Sequence, residues 1–221
     1  MLPLLERLQG VVDILIASNS ELQSPKADET GYVFVPPQLL MQTMLKLLDT
    51  TDTSKVSLDL GCGNGGWMLL AACAGFSSYG IELNTFLLDH AQQNYERCVA
   101  AEFIDPLTPC AWIIGDMIPE RYNNEYMAFR KLHHDQERSM PVAAVVENAY
   151  SRLPVRVATA DIIYCWSWPT QSQFIFSMLN SEAKQDTIFI LPSYERYTKN
   201  NNSLLLTPIS IIQRVFMGRR K

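Results

Sequence analysis

Between Val56 and Gly75 the chain reads VSLDLGCGNGGWMLLAACAG: a short apolar run holding one acid, a turn with four glycines, then a long apolar stretch. A five-residue apolar run closed by glycines reads as a buried strand, and the stretch after the turn is long enough for a helix. Glycine there admits backbone conformations and close approaches that a Cβ would block. A strand that feeds directly into a helix is half of a strand-helix-strand unit, which builds a parallel sheet covered on both faces. The unit recurs along the chain. SSYGIEL ends a second strand on Glu82, and NTFLLDHAQQNYERCVAA follows as a helix opened by Asn84 as its N-cap. AWIIGDM is a third strand ending on Asp116, ADIIYCWSWP a fourth, TQSQFIFSMLNSEAK a helix and DTIFILP a fifth strand. The 29 residues after Pro192 have room for two short strands and little room for a helix between them.

Upstream, Leu4, Leu5, Leu8, Val11, Val12 and Leu15 carry the spacing of an amphipathic helix over residues 2–17. A polar, turn-rich stretch separates it from GYVFVPP, where prolines close an extended piece and start a second helix, PQLLMQTMLKLLD. We therefore divide the chain into an N-terminal helix and linker, residues 1–30, and an α/β domain, residues 31–221. About forty residues, 118–157, separate the third and fourth strands, far more than a strand-to-helix connection needs. They read as an inserted cap or lid.

The glycine turn alone leaves two nucleotide-type cofactors open. Gly61, Gly63 and Gly66 satisfy G-x-G-x-x-G, and Glu82 stands near the place where a dinucleotide fold wants an acid for a ribose hydroxyl. Three acids at successive strand ends, Asp59, Glu82 and Asp116, favour a different ligand. A pyrophosphate would be repelled by them, whereas a phosphate-free cation would be drawn in. LDLGCGNG, with its acid two positions ahead of the turn, resembles the first motif of the class I S-adenosylmethionine-dependent methyltransferases. Glu82 and Asp116 match that family's second and third acidic positions, and the resemblance covers residues 32–192. It implies a doubly wound, mostly parallel, seven-stranded Rossmann-like sheet with helices on both faces. It also implies S-adenosylmethionine as cofactor, held by Tyr32, Asp59, Gly61, Cys62, Gly63, Asn64, Gly65, Glu82, Leu83, Asp116 and Met117. ETGYVFVPP is similar to the segment that crosses the cofactor in small members related to protein lysine methyltransferases.

In such folds the end of the fourth strand walls the acceptor site. Here it reads YCWSWPTQ, aromatic and nearly uncharged, without the D/N-P-P-Y/F pattern of many amino methyltransferases. Tyr164, Ser167 and Trp168 are the candidates for contact with the acceptor, which would be a protein side chain or a small molecule. The departure from that pattern keeps a non-catalytic cofactor-binding or interaction protein open, with the N-terminal helix as a partner contact. A nicotinamide-dependent oxidoreductase is the third reading.

A net charge of −5 disfavours a general nucleic-acid binder, although Arg130, Lys131 and Arg138 form a local basic patch. The five cysteines are widely spaced and contain no C-x-x-C pair, and His133 and His134 have no ligand partner at metal spacing, so no metal is expected. The first twenty residues carry Glu6 and Asp13 and lack a basic start, which argues against a signal peptide, and no apolar run reaches membrane-spanning length. A cytoplasmic location is the expectation.

Overall fold

The computed structural model describes residues 2–22, 35–132, 149–166, 172–192 and 210–214. In chain order the elements are α1 (Leu4–Leu22), α2 (Pro37–Leu48), β1 (Val56–Leu60), α3 (Gly66–Ala74), β2 (Ser77–Glu82), α4 (Thr85–Ala100), β3 (Cys110–Ile114), α5 (Asn123–Leu132), α6 (Ala149–Arg152), β4 (Ile162–Cys165), α7 (Ser172–Glu182), β5 (Ile188–Pro192) and β6 (Ser210–Arg214). The strands form one sheet in the order β3-β2-β1-β4-β5-β6. All neighbours are parallel except β6, which runs antiparallel to β5.

Six strands are present among the described residues, where the sequence predicts seven. Only one of the two strands expected after Pro192 falls within them. The third strand stops pairing at Ile114, two residues short of Asp116, because the chain turns away at Gly115. Tyr32, Ser167 and Trp168 lie outside the described residues, as do His133, His134 and Arg138.

Strand alternation sorts the core into two halves. Ile162, Tyr164, Ile188 and Ile190 face one way, with α1, α2 and α3, and the intervening Ile163, Cys165 and Phe189 face the other. Ser57 lies on the first face, where its Oγ accepts a hydrogen bond from Trp67 Nε1 at 3.0 Å. α3 is buried along its whole length, which explains why its sequence is apolar all round. It ends in a left-handed glycine, Gly75 (φ 101°), with Phe76 N–H donating to Ala71 C=O and Gly75 N–H to Ala72 C=O. That pair of bonds closes the helix end so that the chain can turn into β2.

α1 belongs to the same core as the sheet. Leu8, Val11 and Val12 are fully buried against α3 and α4, a contribution of roughly 1.5–3 kcal/mol for each aliphatic side chain. The helix also runs five residues beyond the expected Ala17, to Leu22. The expected insertion resolves into separate pieces. A single turn at Glu120–Tyr122 and α5 dock on α7, through Arg121 paired with Glu182, Tyr122 Oη 2.8 Å from Ser181 Oγ, and Tyr126 and Phe129 packed on Phe174. α6 docks instead on the end of β3. A side chain at Gly115 would overlap Ala149 there, and Arg152 donates to Ile114 C=O at 2.6 Å.

Candidate functional site

β1 is flanked by β2 on one side and β4 on the other, so the strand order reverses there and a crevice opens at the carboxyl ends of the strands. The fold is Rossmann-like. The glycine turn fills the base of this crevice. Gly61 (φ 79°), Gly63 (φ 55°) and Gly65 (φ 88°) are all left-handed, a backbone that other residues adopt only with strain. Gly61 and Cys62 donate their N–H groups to Ile81 C=O, at 2.8 and 2.9 Å, which stitches the turn to the end of β2.

Glu82 is the hub of the site. Its Oε2 accepts from Gly63 N–H at 2.9 Å, and its Oε1 accepts from Leu83 N–H at 2.8 Å and Asn84 N–H at 2.9 Å. A carboxylate offers about four acceptor positions, so capacity for one further donor remains. Burial pushes its carboxyl up, and the three backbone bonds pull it back only in part. Asn84 caps α4 as the sequence implies, its Oδ1 accepting from Phe86 N–H at 2.9 Å.

Asp59 sits lower. It pairs in register with Gly80 on β2 and Tyr164 on β4, and only 1% of it is exposed. Burial raises its carboxyl well above the ordinary range, the nearby Glu82 charge raises it further, and the Met68 backbone N–H opposes both. Met68 stands in the first turn of α3, so Asp59 lies beneath the glycine turn and serves a free helix amide. Its Oδ1 has no hydrogen-bond partner among the described residues. Asp116 holds a tight turn, Oδ1 accepting from Ile118 N–H at 2.9 Å, and burial raises its carboxyl too. No Lys or Arg forms an ion pair with any of these three acids among the described residues.

The other predicted site residues are buried or half-buried. Cys62 is 5% exposed and tucks its Sγ under Gly80, where burial and the Asp59 and Glu82 charges push its thiol well up. The Asn64 side chain is buried and donates from Nδ2 to Asn19 Oδ1 at 2.9 Å, which tethers the turn to α1. Leu83 and Met117 are half-buried at the strand ends, and Met117 Sδ lies 3.9 Å from Cys165 Sγ.

Tyr164 does not line the acceptor crevice. It occupies the same sheet face as Asp59, is 4% exposed, and stacks on Trp67 at 4.9 Å with the rings 8° from parallel. Strand parity puts it in the core, and a tryptophan from α3 seals it there. Three contributors carried no sequence signal. Tyr150 on α6 donates from Oη to Met117 C=O at 2.6 Å and so braces the loop that carries Asp116. Asn19 and Asn94 reach the glycine turn from α1 and α4. Among the described residues no group of His, Cys, Asp and Glu could hold a metal ion, and no helix is long and apolar enough to cross a membrane.

No family model and no curated protein matches the chain. Among solved structures it is similar to an RNA methyltransferase from Salinibacter ruber in complex with S-adenosyl-L-homocysteine, at 19% identity, covering 72% of this chain and 76% of that one with a TM-score of 0.46. It is also similar to magnesium protoporphyrin IX methyltransferase from Synechocystis PCC 6803 with bound SAM, at 16% identity, 81% and 74% coverage and a TM-score of 0.46. A third is a SAM-dependent methyltransferase from Geobacter sulfurreducens in complex with S-adenosyl-L-homocysteine, at 15% identity over 74% of this chain with a TM-score of 0.44. The chain spans about half of that protein's length, 52%. The functional reading rests on the site's own geometry.

Proposed function

We propose that the chain binds S-adenosylmethionine at the Gly61–Gly65 turn and transfers its methyl group to a protein side chain or a small molecule. One observation carries the reading: Glu82 braces the left-handed glycine turn, Asp59 lies beneath it and Asp116 stands close to Glu82, and none of the three is ion-paired with a Lys or Arg among the described residues. An uncompensated acidic site favours a ligand with cationic centres and no phosphate. The donor's sulfonium and ammonium groups meet that description.

The residues also fit its shape. The glycines let a ligand reach the backbone, Glu82 has acceptor capacity left for a ribose hydroxyl, and Asp59 holds an unpartnered Oδ1 beneath the turn. Asp116, two residues past the end of β3, is the acid that the resemblance assigns to the adenine amino group. The bound donor would supply an electrophilic methyl carbon. The chain's own task is then to hold that carbon against an unprotonated acceptor, and positioning alone accounts for much of such a step. Tyr32, outside the described residues, keeps its proposed role over the donor.

A dinucleotide fits less well. Its pyrophosphate would lie on the α3 N-terminus, where the Met68 amide already serves Asp59 and the nearest acids repel. Cofactor binding without catalysis is the second reading, and the burial of Tyr164 favours it, because that removes one of the three candidate acceptor contacts. On either reading α1 is part of the binding unit. A partner contact through that helix would use its outer residues, Leu5 and Ile16, 59% and 38% exposed.

Calorimetry with S-adenosylmethionine, S-adenosylhomocysteine and NADH tests the site. Binding of both methyl-donor forms and not of NADH is expected, and binding of NADH alone would refute the proposal. Incubation with methyl-labelled donor and a cell lysate then separates the two readings: label on a protein band or a small molecule means transfer, and label nowhere means binding only.

A further inference from the structure

The glycine turn is held from outside by a small network of buried amides. Asn64 stands between two left-handed glycines, Gly63 and Gly65, so the peptide planes on either side of it have unusual freedom to rotate. Two bonds remove that freedom. Asn64 Nδ2 donates to Asn19 Oδ1 at 2.9 Å, and Asn64 C=O accepts from Asn94 Nδ2 at 3.1 Å. Asn94 Nδ2 also donates to Ser18 Oγ at 3.1 Å. Ser18, Asn19, Asn64 and Asn94 are all at most 3% exposed. Asn94 spends both donors of its Nδ2 on this network, while its Oδ1 has no partner among the described residues; buried amide bonds of this kind are costly to break, so the two that reach Asn64 hold it in place.

We infer that Asn19 of α1 and Asn94 of α4 are positioning residues for the cofactor site, which fix the Gly63–Gly65 peptides and so make donor binding depend on the docking of α1. The Asn64–Gly65 peptide is held on both sides, its C=O by Asn94 and its N–H, from Gly65, by Cys62 C=O at 2.8 Å. The link to Glu82 runs one peptide further back, where Gly63 N–H donates to Glu82 Oε2. The inference rests on the donor reading for its ligand, but the clamp itself is a property of the ligand-free chain.

The test compares Asn19→Ala with a packing control on the same helix, Val12→Ala. Val12 is fully buried and lies seven residues, about 10 Å along the axis, from Asn19. Both variants should lower the melting temperature. Only Asn19→Ala should raise the Kd for S-adenosylmethionine, by about tenfold, because a buried amide partner is lost at the turn. Asn19→Asp, which keeps the accepting oxygen, should restore most of that affinity. Equal Kd changes in Asn19→Ala and Val12→Ala, measured by calorimetry and scaled to their loss of melting temperature, would overturn the assignment.

A ligand-free readout separates this from the donor reading. Amide hydrogen exchange at Gly63 and Gly65 should quicken in Asn19→Ala at least fivefold more than in Val12→Ala. If exchange rises alike in both, the clamp is absent whatever the site binds. If the unmodified chain binds no donor while exchange separates the variants, the clamp stands and the functional proposal fails.

Discussion

Glu82→Gln is the sharpest perturbation of the site, because the carboxylate braces three backbone amides and has room for a ligand as well. In the variant one side-chain oxygen can keep Leu83 and Asn84, while the new NH2 group faces Gly63 N–H, donor against donor. One buried amide is left unsatisfied, at about 1–3 kcal/mol, and the two surviving bonds lose their charge assistance, about 1 kcal/mol each. Against this, burial already disfavours the ionised form, as the raised carboxyl shows, so removing the charge returns part of the loss. A net destabilisation of about 1–3 kcal/mol follows, or roughly 2–12 °C in melting temperature at this chain length. Donor binding should suffer separately. If the remaining acceptor capacity holds a ribose hydroxyl through a charged hydrogen bond, affinity falls by about 1.5–3 kcal/mol, which is roughly tenfold to 150-fold in Kd. Differential scanning and isothermal calorimetry on the same preparations measure both. A lowered melting temperature with unchanged donor affinity would show that Glu82 only braces the turn, and would remove it from the binding site.

Two further perturbations follow from burial. Asp59, Glu82 and Asp116 are all raised above their ordinary values of 3.8, 4.5 and 3.8, with burial the main cause. Their contribution to the stability of the ligand-free chain is therefore full below those values and is lost as pH rises through the raised ones. Asp59→Asn should flatten the dependence of melting temperature on pH above the ordinary carboxylate range, and parallel curves for variant and parent would contradict it. Gly80→Ala should destabilise by roughly 1–3 kcal/mol in urea denaturation, since the added Cβ would lie 2.8 Å from Cys62 Sγ and 2.9 Å from Met68 Sδ. An unchanged midpoint would mean that these two sulfurs yield freely.

The parallel core was legible because its strands are buried on both faces and so appear as short apolar runs: VSLDL is β1 to the residue, and IFILP is β5. The capping of α4 by Asn84 and the glycine turn were readable for a similar reason, since each is a local solution to a local backbone problem. Contacts between polar groups far apart in sequence were not. Asn19 and Asn64 are separated by 45 positions, and nothing in either neighbourhood marks them as partners. Parity explains Tyr164. Its position at the end of the fourth strand suggested the crevice, but pairing with Asp59 fixes its face, and Trp67 then covers it. The depth of Asp59 was likewise invisible, because an acid that supports a turn from below and one that faces a ligand occupy the same place in the sequence.

The docking of α1 also has a consequence for the order of events during synthesis. Its buried face packs on α3 and α4, and Ser18 waits for Asn94, 76 positions later, before its hydroxyl is paired. At ribosomal rates of about 5–20 residues per second that interval is about 4–15 s. In the first part of it, until α2 and α3 have been made, α1 carries Leu8, Val11, Val12 and Leu15 with no native surface to cover them. The glycine turn is made before its clamp is complete, so the site reaches its final shape only when α4 has been made and joins α1. A chaperone that shields short apolar helices would act on this interval and have nothing to hold afterwards.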